Sequence, residues 1–335
     1  MDLSSTAGSL KFSLKRGALV TAANWQVVLV QFVADTLFKT LLAVPIVGGL
    51  VLVALVVGGD PVEMIRLEPS QIVSTMVGVL LAQPFALAAF LLALGLILSG
   101  GSVLMFAVKA GSVTVLLAGE RAAGPIEQPP LRLSSFAQAN RSNVERFTTG
   151  VRTLFGRYLR LGVGLTVVYA LLAGGYMALV FGPPATATVD GPLAVTLASL
   201  ALILAVTLVN FLYLLLQIVV AFEDCGVLEA VPQVARLLRR RTKAMGQVLT
   251  SILALMLMAT GVSILATAAL GLIAFVPFVG LAALPLQVFA WLVRGVVFQF
   301  VGLTGVATYV RLHRTLQASE VLVRPSNGLQ QVTRA

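Results

Sequence analysis

A long uncharged stretch limits this chain to one kind of fold. The fifty residues from position 244 to position 293 contain no aspartate, glutamate, lysine or arginine. In the whole chain, 11% of the residues are charged, 59% are hydrophobic and the mean hydropathy is +1.00. A globular domain has about a quarter charged residues. The composition therefore predicts an all-α integral membrane protein whose solvent is mostly lipid.

Six predicted spans account for most of the hydrophobic sequence and form three hairpins. A span requires roughly 20 apolar residues. The predicted spans occupy residues 25–57, 84–118, 161–181, 192–222, 244–276 and 281–310. The additional apolar segment 71–83 is too short to cross a membrane by itself. It is either an interfacial segment or an extension of the second helix.

Each hairpin is preceded by a segment rich in lysine or arginine. These segments run from Lys11 to Arg16, from Arg152 to Arg160 and from Arg236 to Lys243. Each is expected to form a basic amphipathic helix at the membrane surface. The predicted organisation is a first hairpin with its amphipathic segment (1–120), a cytoplasmic loop with a basic helix (121–160), a second hairpin (161–226), a basic helix with the third hairpin (227–314) and a flexible cytoplasmic tail (315–335).

The cations of the chain lie mostly on one side of the predicted spans. They occur at the N-terminus, between the second and third spans, between the fourth and fifth spans, and in the tail. The opposite connections hold Asp60, Glu63, Arg66, Glu68 and Asp190. Positive residues in short loops stay on the cytoplasmic side. Both termini are therefore expected to be cytoplasmic, in a bacterial inner membrane.

Part of the second span recurs in the sixth span. Five of fourteen positions match at a constant offset of 194 residues. The matching pairs are Gly101 and Gly295, Val103 and Val297, Phe106 and Phe300, Gly111 and Gly305, and Thr114 and Thr308. Both spans have the same predicted orientation, so parallel repeats are expected. Chance similarity is the alternative, because glycine, valine and phenylalanine are common in membrane helices.

The basic segments are candidate contacts for anionic lipid. Each cation near an anionic leaflet contributes about 1 kcal/mol to binding. The candidate residues are Arg152, Arg157, Arg160, Arg236, Arg239, Arg240, Arg241 and Lys243. The alternative interpretation is that these charges only determine the orientation of the spans.

Four charged residues fall inside the predicted spans. They are Asp35, Lys39, Lys109 and Arg294. An ionised group there costs at least about 2.5–3.5 kcal/mol unless it finds water or a partner. We therefore predict an intramembrane polar cluster, which is either a structural ion-pair group or a substrate and proton site. If the N-terminal helix continues to Lys39, however, the pair formed by Asp35 and Lys39 lies at the membrane surface.

An acidic pair, Glu223 and Asp224, follows the fourth span and precedes a predicted helix. Carboxylates are favoured near a helix N-terminus, where they accept hydrogen bonds from free backbone N–H groups and interact with the helix dipole. The pair is therefore a candidate helix cap.

The surrounding motif carries a family resemblance. Glu-Asp-Cys-Gly at 223–226 is followed by Glu-Ala at 229–230, a basic stretch and an apolar span. This pattern, up to about Ile252, resembles the six-helix bacterial membrane proteins that include the membrane domain fused to some glycerophosphodiester phosphodiesterases. The chain departs from that family at 231–234, and no phosphodiesterase domain is expected in it. The resemblance implies a membrane fold and leaves the activity undefined.

The remaining residue types exclude most other classes of function. A single cysteine and a single histidine disfavour a metal site or a haem cofactor, so no metal or cofactor is expected, and no catalytic residues are predicted. The net charge of +10 comes from residues that flank the predicted spans. We therefore interpret it as a signal for membrane orientation and not for nucleic-acid binding.

The sequence supports three hypotheses about function. The first is a non-enzymatic interaction, assembly or envelope-homeostasis component that contacts anionic lipid and a protein partner on its cytoplasmic face. The second is a transporter for an anionic or lipidic substrate. The third, more remote, is a lipid-acting enzyme built around Glu223 and Asp224.

Overall fold

The described part of the chain is helical. The computed structural model describes residues 3–57, 71, 78–79, 81–130, 133–181, 191–274 and 279–323, and no strand occurs within these ranges. The helices are α1 (Leu3–Ala23), α2 (Trp25–Val57), α3 (Pro84–Ala122), α4 (Leu133–Ala139), α5 (Val144–Phe181), α6 (Gly191–Glu223), α7 (Val227–Ala274) and α8 (Val279–Val323). Six helices, all except α1 and α4, are long and apolar enough to cross a membrane. The predicted all-α membrane fold with about six spans is confirmed.

Two of the predicted basic helices are continuous with the spans that follow them. The basic segment that begins before Arg152 and the third span form the single helix α5, and the segment around Arg239 and the fifth span form α7. At 1.5 Å per residue, the 48 residues of α7 extend about 72 Å, much more than the roughly 30 Å hydrocarbon core. Lysine and arginine are good helix formers, so nothing interrupts the helix where the basic segment meets the apolar one.

The first basic helix, in contrast, is separated from its span at Asn24. The buried side chain of Asn24 donates from Nδ2 to Val20 O (2.9 Å) and to Ala139 O (3.0 Å). Its Oδ1 accepts a hydrogen bond from Arg141 N (2.8 Å). This one side chain therefore satisfies backbone groups both at the end of α1 and in the connection between α4 and α5.

The described chain packs as two compact units. The first contains Met1–Leu29 and Lys109–Ala335, and the second contains Val30–Val108. In the second unit, Val53 and Ala54 are fully buried and form a small apolar core. The neighbours that pack against this core are Leu50, Val79, Ala86, Leu87 and Phe90.

In the first unit, α8 packs against α1 and α7, while α6 packs against α5 and α7. Two buried tyrosines join neighbouring helices. Tyr158 Oη on α5 donates to Gln217 O on α6 (2.9 Å), and Tyr309 Oη on α8 donates to Met245 O on α7 (3.1 Å). Each hydroxyl thereby finds the hydrogen-bond partner that a buried polar group requires.

The threonines of the predicted repeat make similar contacts in its two copies. A Cβ atom built on Gly150 of α5 would lie 2.4 Å from Thr114 Oγ1 on α3, and one built on Gly17 of α1 would lie 2.3 Å from Thr308 Oγ1 on α8. Both threonines thus face a glycine on a basic helix, and the absence of a Cβ allows the helices to approach closely.

Several predictions fall wholly or partly outside the described residues. The segment 71–83 is described only at 71, 78–79 and 81–83, and the connections 58–70 and 182–190 lie outside. The predicted flexible tail 315–335 begins as helix, because α8 continues to Val323. Its sequence to that point contains no proline or glycine that would end the helix. Residues 324–335 lie outside the described part.

Candidate functional site at the charged helix ends

A buried arginine on α1 lies between two glutamates. Arg16 Nε lies 2.7 Å from Glu120 Oε1, and Arg16 Nη1 lies 2.8 Å from Glu127 Oε2. The three residues are only 8%, 2% and 4% exposed. Arg16 Nη1 also donates to Gly124 O at 2.5 Å. The guanidinium therefore forms charge-assisted hydrogen bonds in a site that excludes water, where an unpaired charge would be costly.

Cations from α1 and α8 contact the same segment. Arg311 Nη1 forms an ion pair with Glu127 Oε1 at 3.2 Å. Arg314 Nη1 donates to Glu120 O at 3.3 Å, and Lys15 Nζ donates to Glu127 O at 3.0 Å. The end of α3 and the turn that follows it are thus held from both sides. We call Arg16, Glu120, Glu127 and Arg311 the buried ion-pair network.

Glycine allows the turn after α3 to reach this position. Gly124 has a φ of +30°, a conformation that side chains with a Cβ rarely adopt. The turn continues with Ile126 N donating to Ala123 O (3.3 Å) and Gln128 N donating to Pro125 O (3.1 Å). This local geometry places Glu127 on the same side of the helix end as Glu120.

The two acidic residues at the end of α6 also contact other helices. Glu223 Oε1 lies 3.0 Å from His313 Nε2 on α8, and Asp224 Oδ1 accepts a hydrogen bond from Arg157 on α5. Asp224 has a φ of 50°, in a left-handed region that aspartate tolerates better than most residues. The two carboxylates predicted as a helix cap therefore link α6 to α8 and to α5.

A different carboxylate caps the start of α7. Glu229 Oε2 accepts a hydrogen bond from Gly226 N at 3.0 Å, while Ala230 N donates to Gly226 O at 3.0 Å. This arrangement is one half of a capping box, in which the residue three positions into the helix reaches back to the N-cap N–H. Glycine at the N-cap supplies no side-chain oxygen for the other half.

The structure divides the predicted lipid contacts into exposed and paired residues. Arg157 is half-buried and paired with Asp224, and the side chains of Arg240 and Arg241 lie outside the described part. The exposed members are Arg152, Arg160, Arg236, Arg239 and Lys243. We call these five residues the basic set. Two lie on α5 and three on α7.

The predicted intramembrane residues have three separate sets of contacts. Lys39 Nζ donates to Asp35 Oδ2 at 2.7 Å, and both residues lie within the apolar segment Trp25–Val51. Lys109 Nζ lies 5.3 Å from the centre of the Tyr213 ring, and the exposed Arg294 guanidinium lies 5.5 Å from that of Phe298. The pairing of Asp35 with Lys39 is thus present, while a cluster of all four residues stays a prediction.

A cavity of about 630 Å³ opens between the end of α3, the start of α5 and the end of α6. Its charged lining consists of Arg121, Arg146, Glu145 and Asp224. Apolar side chains, among them Leu117 and Phe222, complete it. Lys109 and Arg294, the two predicted intramembrane residues of the first unit, do not line this cavity.

Six apolar helices of spanning length identify the general class of this molecule. It is a multi-pass membrane protein. No family model, curated protein or solved structure matches the chain. Within the described residues, no group of three histidine, cysteine, aspartate or glutamate side chains is placed to hold a metal ion. The charged helix ends are therefore the features of this molecule that indicate a function.

Sequence reasoning did not find the buried ion-pair network or the arginines of the cavity. The repeat gave a signal for part of this charged site. Glu120 and Arg314 are 194 residues apart, which is the repeat offset, so they occupy equivalent positions in the two copies, and Arg314 donates to Glu120 O. Acidic residues in an otherwise basic segment were a second signal. Neither signal indicates which of the many nearby cations is buried.

The single cysteine, Cys225, provides a test of the local electrostatics. Burial raises the pKa of its thiol, and the carboxylates of Glu229 and Glu223 raise it further, while Arg157 lowers it. The thiolate is the reactive form, so we expect Cys225 to react with iodoacetamide more slowly than a free cysteine near neutral pH. Arg157→Gln should raise the pKa and slow the reaction again, as measured by mass spectrometry across a pH series.

The matched control is Arg160→Gln, which removes an exposed cation on the same helix. It should leave the rate nearly unchanged. Faster alkylation in the Arg157→Gln variant than in the unmodified protein would contradict the proposed influence of Arg157.

Proposed function

We propose that this protein is a non-enzymatic component of a bacterial inner membrane that binds anionic lipid through its cytoplasmic basic set and thereby acts in interaction, assembly or envelope homeostasis. A protein partner would use the same charged face. The observation that carries the proposal is the exposure of Arg152, Arg160, Arg236, Arg239 and Lys243 on the basic first parts of two long helices. Basic segments that adjoin a membrane span attract anionic headgroups.

The placement of the carboxylates supports this proposal. Glu120 and Glu127 are buried and pair with Arg16 and Arg311. These two acids are therefore occupied inside the protein and do not neutralise the basic set. An exposed cationic surface beside a membrane attracts anionic headgroups within about one Debye length, roughly 10 Å at 0.1 M salt.

The direction of the spans supports a cytoplasmic position for this surface. Lysines and arginines dominate the segments before α2, α5 and α7, and positive residues are retained on the cytoplasmic side. The cytoplasmic leaflet is also the leaflet whose negative surface potential attracts such segments. Orientation and lipid contact are thus two effects of the same residues.

Neutralising the basic set should weaken the binding of anionic lipid. We expect the variant in which all five members are changed to glutamine to bind phosphatidylglycerol at least about thirtyfold more weakly. The reason is that even two engaged cations contribute about 2 kcal/mol together. Native mass spectrometry of the detergent-purified protein, with phosphatidylcholine of equal chain length as the neutral lipid, measures the effect.

A charge-conserving variant provides the matched control. Exchanging arginine for lysine and lysine for arginine at the same five positions should retain most of the phosphatidylglycerol binding, and raised salt should weaken binding in both this variant and the unmodified protein. The proposal is wrong if phosphatidylglycerol and phosphatidylcholine bind equally, or if the five-glutamine variant binds phosphatidylglycerol as well as the unmodified protein does.

A further inference from the structure

We infer that the cavity between α3, α5 and α6 binds a phosphate ester that also carries an ammonium group, which is the chemistry of phosphoethanolamine. Two arginines and two carboxylates line the cavity, and one of the carboxylates, Asp224, also pairs with Arg157. A lining with groups of both signs favours a ligand that carries both charges over a purely anionic group. The volume of about 630 Å³ lies within the usual range of small-molecule sites.

The two arginines provide the hydrogen-bond donors for the phosphate. The Arg121 guanidinium lies 5.6 Å from the centre of the Phe222 ring, and Arg146 Nη1 donates to Arg141 O at 3.2 Å. These contacts hold each side chain while leaving other N–H groups of its five free for a ligand within the described structure. The planar guanidinium fork suits bidentate recognition of phosphate oxygens.

The hydroxyl groups of the cavity have a different role. The side chains of Thr114, Thr149 and Thr153 donate to Ala110 O (3.0 Å), Glu145 O (2.8 Å) and Thr149 O (3.0 Å) of their own helices. Each hydroxyl proton is therefore committed, and the oxygen remains available only as an acceptor. These oxygens cannot donate to a phosphate in this conformation, but they can accept from an ammonium group.

The carboxylates add acceptors for the same ammonium group. Glu145 is exposed at the start of α5, and Asp224 lies at the end of α6, where it also pairs with Arg157. An ethanolamine ammonium has three N–H donors for such oxygens. A trimethylated choline group has none, which predicts discrimination between the two headgroups.

The position of the cavity connects this chemistry to the membrane. It lies at the ends of two apolar segments of spanning length, Pro84–Ala122 and Val195–Glu223. The headgroup of a membrane phospholipid and a free phosphoethanolamine molecule would present the same groups there. Arg121 and Arg146 do not belong to the basic set, so this inference is independent of the proposed anionic-lipid contact.

The test compares lipids of equal chain length on the full-length protein in detergent by native mass spectrometry. We expect phosphatidylethanolamine to bind about tenfold more tightly than phosphatidylcholine, a difference of about 1.4 kcal/mol. The double variant Arg121→Gln/Arg146→Gln should lose about tenfold in phosphatidylethanolamine binding. Glu145→Gln should reduce the preference for phosphatidylethanolamine over phosphatidylcholine, and because Glu145 is exposed, this change is not expected to disturb folding.

Lys11→Gln is the control, since it removes an exposed cation that neither lines the cavity nor belongs to the basic set. It should leave phosphatidylethanolamine binding unchanged. Soluble phosphoethanolamine that binds as tightly as phosphatidylethanolamine would assign the site to the free molecule, whereas weaker binding of the soluble molecule alongside the lipid preference would assign it to the lipid headgroup. Equal binding of the two lipids, or undiminished phosphatidylethanolamine binding by the double variant, would overturn the inference.

Discussion

Replacing Arg16 with methionine is expected to destabilise the first unit by about 3–5 kcal/mol, the usual cost of removing one partner from a buried ion pair. The change keeps much of the side-chain volume but leaves Glu120 without its cation and Glu127 with Arg311 alone. The measured quantity is the midpoint of thermal unfolding in detergent, followed by circular dichroism. Hydrogen exchange should also accelerate in α1 and around Gly124, which Arg16 holds together.

Two further variants separate lost charge pairing from general damage. Arg160→Met removes an exposed arginine and should change stability by about 0.5 kcal/mol or less. The double variant Arg16→Met/Glu120→Gln leaves Glu127 paired with Arg311, so it should recover part of the loss. If Arg16→Met is as stable as Arg160→Met, or if adding Glu120→Gln recovers nothing, the buried network does not hold α1 in place.

Replacing Gly17 with alanine should destabilise the contact between α1 and α8 by about 1–3 kcal/mol, the typical cost of overpacking. A Cβ atom at this position would lie 2.3 Å from Thr308 Oγ1 and 2.9 Å from the backbone oxygen of Thr304. The backbone oxygen cannot rotate away, so the two helices must separate. Thermal unfolding in detergent measures the change, and hydrogen exchange locates it.

The control for this variant is Gly246→Ala on α7, where nothing lies within 4 Å of the added Cβ. Without a clash, alanine should stabilise that helix by up to about 1 kcal/mol. The two glycine changes are therefore expected to have opposite signs. Thr308→Ala added to Gly17→Ala should recover part of the loss, and a neutral or stabilising Gly17→Ala would show that the helices are not in close contact there.

The positions of the spans were readable from local sequence because lipid imposes a local requirement. A span needs an unbroken apolar stretch, and its ends coincide with charges, proline or glycine. The predicted starts at Trp25 and Pro84 match the structure, and the fourth span differs by one residue at each end. The continuity of α5 and α7 was missed because a change from amphipathic to apolar sequence was interpreted as a break in the helix.

The difference between residues that are near and distant in sequence also explains which charge pairs could be predicted. The pairing of Asp35 with Lys39 was predictable, since residues four apart lie on one face of a helix. The pairing of Arg16 with Glu120 joins residues 104 positions apart, and no periodic pattern relates them. Arg16 and Lys11 belong to the same basic segment, yet one is buried and the other exposed.

The sequence by itself therefore determined that this protein crosses a membrane with about six helices, because hydrophobic length and helical spacing are properties of neighbouring residues. Only the tertiary structure decided which carboxylates neutralise Arg16, which cations remain exposed, and that Arg121 and Arg146 line one cavity. These pairings and exposures depend on which helices pack together. A charge at the surface contributes little to stability, whereas a buried charge without a partner is costly.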